Sequence, residues 1–231
     1  DYLHPDLIPN LFINSPEDLN GNGSFEPWSH NEKRNPRTLK IDAIGGIYGD
    51  FDDQDQDGNG YPDDVIGWDF TDQPLNIDAL NDGSDYETPD PDPFDQHSHG
   101  TACAGIVAAA TNNSKGIAGI APNCKLVTLR VFSGSGMSDD KDIASAILYA
   151  AENDIRVLNM SFGDVVLSTV VRDAIQYAYS RGVVMCASAG NDGTDKAHYP
   201  SGFSEVISVV ATTNADERAA FSSHGLTVDL G

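Results

Sequence analysis

Basic residues are scarce. The chain has 231 residues, with 13 Lys and Arg against 36 Asp and Glu, for a formal net charge of −23. A surface this acidic has no electrostatic route to nucleic acid or to an anionic membrane, and both are excluded as partners. Long apolar runs are also missing. No stretch approaches the ~18 consecutive apolar residues of a membrane span, and no basic-then-apolar leader opens the chain. Methionine is rare and absent from the first position, as expected of a chain processed or cut from something longer. The three cysteines, Cys103, Cys124 and Cys186, cannot all pair and match no zinc spacing, so they carry little information about compartment.

The acidic residues that are present are unevenly placed. Residues 1–96 hold 23 Asp and Glu against four Lys and Arg, whereas the remaining 135 hold 13 against nine. Concentrated negative charge points to cation binding in that segment, with a solvated acidic loop as the plainer alternative. The same segment is dense in Gly, Pro, Asn and Asp, as in "DLNGNGSFEPW" and "DYETPDPDPFD", which is loop chemistry. Within it "DQDQDGNGYPDD" fits the one-loop calcium pattern. Asp53, Asp55 and Asp57 take positions one, three and five, Gly58 makes the turn, Asn59 offers a carbonyl and Asp64 stands at twelve. Position twelve ordinarily carries a bidentate Glu, so Asp64 has shorter reach.

After residue 96 the pattern becomes regular. "KLVTLRV", "RVLNMSF", "VVMCASA" and "VISVVAT" read as buried strands rich in β-branched residues. Between them, Ile143, Ile147 and Ala151 share one helical face, as do Val171, Ile175 and Ala178. Asp139 and Ser168 suit N-caps, and Gly182 suits a C-terminal stop. Strand and helix alternation implies a parallel sheet with helices on both faces. Ligands in such folds gather at the carboxyl ends of strands, here "FSGSG", "SFGD" and "SAGND".

"DQHSHGTACAG" places His99 at the start of a helix of small residues. A helix N-terminus disfavours imidazolium, which suits a proton acceptor, but a capped surface ring fits this stretch alone equally well. His97 could join a metal site with it, although no third ligand has fitting spacing.

Taken in order, "HSHGTACAG", "GIAGIAPNCKLVTLRV", "VLNMSFG", "VVMCASAGNDG", "YPS" and "AAFSSHG" resemble the subtilisin-like serine proteases over essentially the whole chain. The resemblance implies an α/β fold, three-layer α/β/α with a mainly parallel sheet, incomplete at both ends. Residues 1–231 would then be a partial peptidase domain, with an acidic, calcium-binding, loop-rich insertion over 8–96 and the parallel core over 97–231. His99 becomes the general base and Asn191 the side-chain donor of the oxyanion hole. Ser161, Phe162 and Gly163 form one wall of the primary specificity pocket, and Ser188, Ala189 and Gly190 the other. Gly134, Ser135 and Gly136 pair with an extended substrate backbone. Cys103, one turn after His99, is an apolar filler. Asp6 and the "NNSKGI" loop, through Asn113, match a structural calcium site.

Two parts of the family's triad are not found. The aspartate motif would precede Asp1 and the serine motif would follow Gly231. Asp42 in "KIDAIGG" imitates the former but falls after "HPDL" in the insertion, and Ser222 and Ser223 lie on a segment that precedes the nucleophile. The resulting expectation is a secreted or extracellular, monomeric, calcium-stabilised serine endopeptidase acting on protein or peptide substrates. A propeptide is among its partners, and the isolated chain is inactive. A subtilisin-like pseudoprotease, a calcium-binding peptide or adhesion module, and a transpeptidase on the same scaffold stay open. Cleavage preference also stays open, because much of the pocket floor is expected to be missing.

Overall fold

The computed structural model describes residues 1–25, 50–71 and 89–231, and Asp42 lies outside them. Two compact units divide the chain, Asp1–Asp139 and Asp140–Gly231.

In the first unit, β1 (Gly67–Asp69) runs parallel to β2 (Thr128–Arg130), with Gly67 opposite Thr128 and Asp69 opposite Arg130. Helix α1 (His99–Ala108) lies between them in sequence, and a short 3-10 helix covers Ile8–Asn10. A side chain at position 67 would overlap the Thr128 backbone, and φ is +129° there, so glycine is required where β1 begins. Tyr2, Leu11, Val65 and Ile66 form a core closed by Ile13, Phe25, Phe51 and Phe94. Tyr2 meets Phe25 and Phe94 edge-on, at centroid distances of 5.2 and 5.6 Å.

Strand β1 was not foreseen from sequence. "GWD" is three residues long and buried throughout, so it shows no alternation and sits inside a loop-like composition. Its partner makes it a strand. The compositional change near residue 96 falls inside the first compact unit, which ends at Asp139.

The second unit follows the expected alternation. It contains α2 (Asp140–Glu152), β3 (Val157–Met160), α3 (Thr169–Ser180), β4 (Val184–Ser188) and β5 (Val206–Val209). The strands are all parallel in the order β3-β4-β5. Ile147, Ala151, Val171, Ile175 and Ala178 pack with Met160, Met185, Ala187 and Val206, so both predicted helical stripes reach one core. Among the described residues of this unit, helices cover one face of the sheet. On the other face Val157 and Val184, paired in register, are 63% and 48% exposed.

The ends of α3 behave as their residues dictate. Ser168 Oγ accepts from Val171 N at 3.3 Å. Gly182, at φ +87°, donates to Tyr179 O, and Val183 N donates to Ala178 O, which closes the helix in a Schellman motif.

Candidate active site

His99 opens α1 and is exposed. Its position is set by Asp95, a residue the sequence reading passed over. Asp95 Oδ1 accepts from His97 N at 2.8 Å and Ser98 N at 2.7 Å, and Oδ2 accepts from Thr101 N at 2.8 Å and Thr101 Oγ1 at 2.6 Å. Ser98, at φ +71°, makes the turn into the helix without capping it. Burial pushes the Asp95 carboxyl up, but the Thr101 and Ser98 donors outweigh it and hold the group below its ordinary value. The capping signal was "D" three residues ahead of the apparent cap, a spacing easily read as loop. Cys103 Sγ lies 3.7 Å from His99 Nε2, within hydrogen-bond range for sulfur, so the filler also touches the imidazole.

His97 stands edge-on to His99, with ring centroids 6.4 Å apart. A Cβ at Gly136 would meet His97 Nε2 at 3.1 Å, so this ring lies between the start of α1 and the loop after β2. That loop closes on itself through Ser133 N to Met137 O and Gly136 N to Ser133 O, both 2.9 Å. The Gly134, Ser135 and Gly136 segment therefore lies against His97, two residues before His99, within the first unit.

In the second unit, Met160 pairs with Ala187, so the loops leaving β3 and β4 run side by side. These carry Ser161, Phe162 and Gly163 after β3, and Ala189 and Gly190 after Ser188, the last residue of β4, followed by exposed Asn191. Gly190 O accepts from Ser223 N at 2.9 Å, and Ser223 Oγ accepts from Asp192 N at 3.2 Å, which pins the loop on both sides of Asn191. Ser222 and Ser223 are buried and committed to backbone, as befits residues outside the nucleophile motif.

The acidic loop is organised around Glu17, a second residue missed from sequence. Glu17 is fully buried; its Oε1 accepts from Gln56 N at 2.8 Å and Asp57 N at 3.1 Å, and its Oε2 from Asp63 N at 3.0 Å. Its carboxylate, with those of Asp55 and Asp57, offers oxygens all within 4.8 Å of one another. Asp64 and Asp57 are joined through the Asn14 and Asn59 amides. Asp53 is placed differently: exposed, at φ +61°, its N–H bound to Asp63 Oδ2 and its side chain outside the three-carboxylate group. Burial raises the Glu17 carboxyl above its ordinary value, and the nearby Asp64 charge adds to this. Hard oxygen donors crowded to the point of mutual repulsion fit a divalent cation of calcium's kind. A position-specific pattern within one loop could not reveal Glu17, because it lies 38 residues before Asp55.

Asp6 and Asn113 are also brought together. Asp6 Oδ1 accepts from Asn113 Nδ2 at 2.6 Å and Oδ2 from Ile117 N at 2.9 Å; with the Asn113 bond foremost, these hold its carboxyl below the ordinary range. A side chain at Gly116 would overlap the Asp6 carboxylate. Asn113 Oδ1 accepts from Lys115 N, so in this structure the pair clamps the loop by direct hydrogen bonds.

Comparison with known proteins covers nearly the whole chain. The sequence model of the Subtilase family matches residues 1–230. A thermophilic serine proteinase of Bacillus sp. (strain AK1) is 40% identical over 71% of this chain and 41% of its own length. Thermitase of Thermoactinomyces vulgaris is 37% identical over 72% of this chain and 54% of its own length. A solved protease of Pseudoalteromonas arctica superposes with a TM-score of 0.60 at 30% identity, covering 71% of this chain and 55% of that one. The chain thus spans about half the length of the curated relatives it matches.

Proposed function

Because the chain belongs to the subtilase family, we propose that it forms part of the peptidase domain of a secreted serine endopeptidase. His99 takes the proton of the nucleophilic serine and returns it to the leaving amine. Asn191 donates its amide to the oxygen on which charge develops in the tetrahedral intermediate. The orienting aspartate and the serine belong to the rest of the protein, since neither motif occurs in these 231 residues. Gly134, Ser135 and Gly136 would align the substrate backbone, and the loops after β3 and β4 would receive the side chain preceding the scissile bond.

The observation that carries this reading is the pairing of Met160 with Ala187. It puts two small-residue loops next to one another at the carboxyl edge of a parallel sheet, where such folds bind ligands. The Asn191 loop, pinned by Ser223, has the fixed backbone that an oxyanion donor needs.

Calcium would be held by Glu17, Asp55 and Asp57, with Asp64 and the Asn59 carbonyl beside them. When bound, it neutralises carboxylates that otherwise repel. Asp53 contributes to the turn and stays outside the nearest shell. Asp6 and Asn113 would serve a second site. Loops of this kind suit the calcium-rich extracellular medium.

Labelling of the full-length protein with a fluorophosphonate tests the reading. One site should react, and His99→Ala should abolish the reaction. A well-folded protein that does not label would instead be a pseudoprotease.

A further inference from the structure

We propose that the loop over residues 18–24 is a site for a divalent cation of calcium's kind, distinct from the group of Glu17, Asp55 and Asp57. Its ligands are Asp18 Oδ1, the side-chain oxygens of Asn20 and Asn22, and the Ser24 carbonyl. The site goes beyond the peptidase reading and does not depend on it.

Two stretches of the acidic segment carry one pattern. "DLNGNGS" (18–24) and "DQDGNGY" (55–61) each have Asp first, Asn or Asp third, Asn fifth, and Gly fourth and sixth. They also fold alike. In the second, Asp55 Oδ2 accepts from Gly60 N at 2.8 Å, Asp57 Oδ1 from Asn59 N at 2.9 Å and Asn59 Oδ1 from Tyr61 N at 2.8 Å. In the first, Asp18 Oδ2 accepts from Gly23 N at 2.7 Å, Asn20 Oδ1 from Asn22 N at 3.0 Å and Asn22 Oδ1 from Ser24 N at 2.7 Å. Gly21 and Gly23 have φ of +64° and +71°, and Gly58 and Gly60 have +75° and +93°. A one-loop calcium site takes its ligands from side chains at positions one, three and five and a carbonyl at seven of such a turn. The same bonds start the second loop at Asp55 and not at Asp53, which is why Asp53 stands outside the carboxylate group.

Turns of this shape also form without a metal. What sets the first loop apart is one atom. Asp18 is only 8% exposed, and its Oδ1 is buried with no hydrogen-bond partner among the described residues. Asp55 differs: its Oδ1 accepts from Gly58 N and Asn59 N, and its Oδ2 from Gly60 N. The Gly23 N–H holds the Asp18 carboxylate within the turn, where Oδ1 is shut off from bulk water. A carboxylate oxygen can only accept, and burying one without a partner is costly. A cation supplies that partner.

The neutral ligands are set for the same role. Asn20 Nδ2 donates to Asp50 Oδ1 at 3.1 Å, which fixes the two ends of that amide and leaves its oxygen to the loop. An amide oxygen has two lone pairs, so Asn20 and Asn22 can each accept an N–H and still ligate. Asp50 is fully buried and adds a second carboxyl beside the loop. Asn20, Asn22 and Ser24 are exposed, which leaves an ion a way in. Position twelve falls on Ser29, outside the described residues, and supplies no carboxylate. One carboxylate ligand, against three in the Glu17 group, makes this the weaker site. Its dissociation constant should be on the order of 10⁻⁴–10⁻³ M, the range of extracellular modules.

The test is calcium binding by the metal-stripped full-length protein, counted by equilibrium dialysis and calorimetry up to ~10 mM calcium. Asp18→Asn keeps an oxygen for Gly23 N but puts an amide where the anionic oxygen was. It should bind one calcium fewer per chain than the wild type, from the weak class, and should melt no lower than the wild type in EDTA. Asn22→Ala, at an exposed position, gives the same count should Asp18→Asn not fold. Asp55→Asn should lose a different, tighter calcium, and the double variant should lose both. A wild-type count in folded Asp18→Asn overturns the proposal, since water would then serve Oδ1 as well. A double variant that loses no more than Asp55→Asn also overturns it, because one ion would serve both loops. A calcium lost with Asp18→Asn and none lost with Asp55→Asn would support this site and overturn the reading of the Glu17 group alone.

Discussion

Asp69 and Arg130 stand opposite one another in the register of β1 and β2 and meet as a buried ion pair. Asp69 Oδ1 accepts from Thr71 N and Oγ1 as well, at 2.9 and 2.7 Å, and Arg130 Nε donates to Phe132 O at 3.1 Å. Arg130 thus ties β2 to the start of the loop that carries Gly134, Ser135 and Gly136.

Burial dominates Asp69. It overrides Arg130 and Thr71 and leaves the carboxyl pushed up to about 6. The folded state then keeps a proton that the unfolded chain releases at lower pH. The contribution of this group to stability therefore falls as pH rises from about 4 to about 6 and is constant above that. Carbon-13 titration of the carboxyl should show a midpoint near 6, and Arg130→Met should move it higher still. A midpoint in the ordinary aspartate range would contradict the burial argument.

Asp95 has the opposite sign. Its lowered carboxyl contributes stability above the ordinary aspartate range and loses it as pH falls through the folded-state value. Asp95→Ala removes four hydrogen bonds at the start of α1 and should cost roughly 1–2 kcal/mol at pH 7, as for loss of a helix cap. The gap from wild type should narrow in melts as the pH falls below the ordinary aspartate range. If His99 is the base, the variant should also lower kcat more than it raises KM, since Asp95 acts through the helix start that carries the imidazole.

Chelation should lower the melting temperature of the full-length protein. At calcium ~100 times the dissociation constant, the expected loss is about 2.7 kcal/mol. Glu17→Gln and Asp55→Asn should remove most of the calcium dependence, while Asp53→Asn should leave most of it. Equal effects at Asp53 and Glu17 would restore the linear loop pattern, and a melt unmoved by excess EDTA would dispose of the cation.

At α3, Ser168→Ala should cost about 1 kcal/mol and Ser168→Asp close to nothing, because either oxygen can accept from Val171 N. Gly182→Ala, forced to φ +87°, should cost roughly 1 kcal/mol in the same urea titration. Two variants indistinguishable from wild type would mean that α3 is held by its buried face alone.

Much of the second unit was legible because its signals are local and repeat. Ile143, Ile147 and Ala151 lie one turn apart, and Val171, Ile175 and Ala178 do the same, so periodicity alone marks the buried stripe. Ser168 and Gly182 are read from the chemistry of helix ends. Small residues at Ser161 to Gly163 and Ser188 to Gly190 announce close backbone approach before any fold is known. His99 and Asn191 were legible as motifs, although the motifs say nothing of what holds them.

What stayed hidden depends on partners far away in the chain. "GWD" becomes a strand only against Thr128 to Arg130, 61 residues on. Glu17 completes a group centred on Asp55 and Asp57, and the His198 ring lies against Gly163 in the loop after β3. Hydrophobic period, turn propensity and capping are properties of neighbouring residues, so the order of residues determined the helices, the parallel strands and the loops at their ends. Which carboxylates share a cation and which strand pairs with "GWD" are set by packing across long sequence separations, and only the tertiary structure decided them.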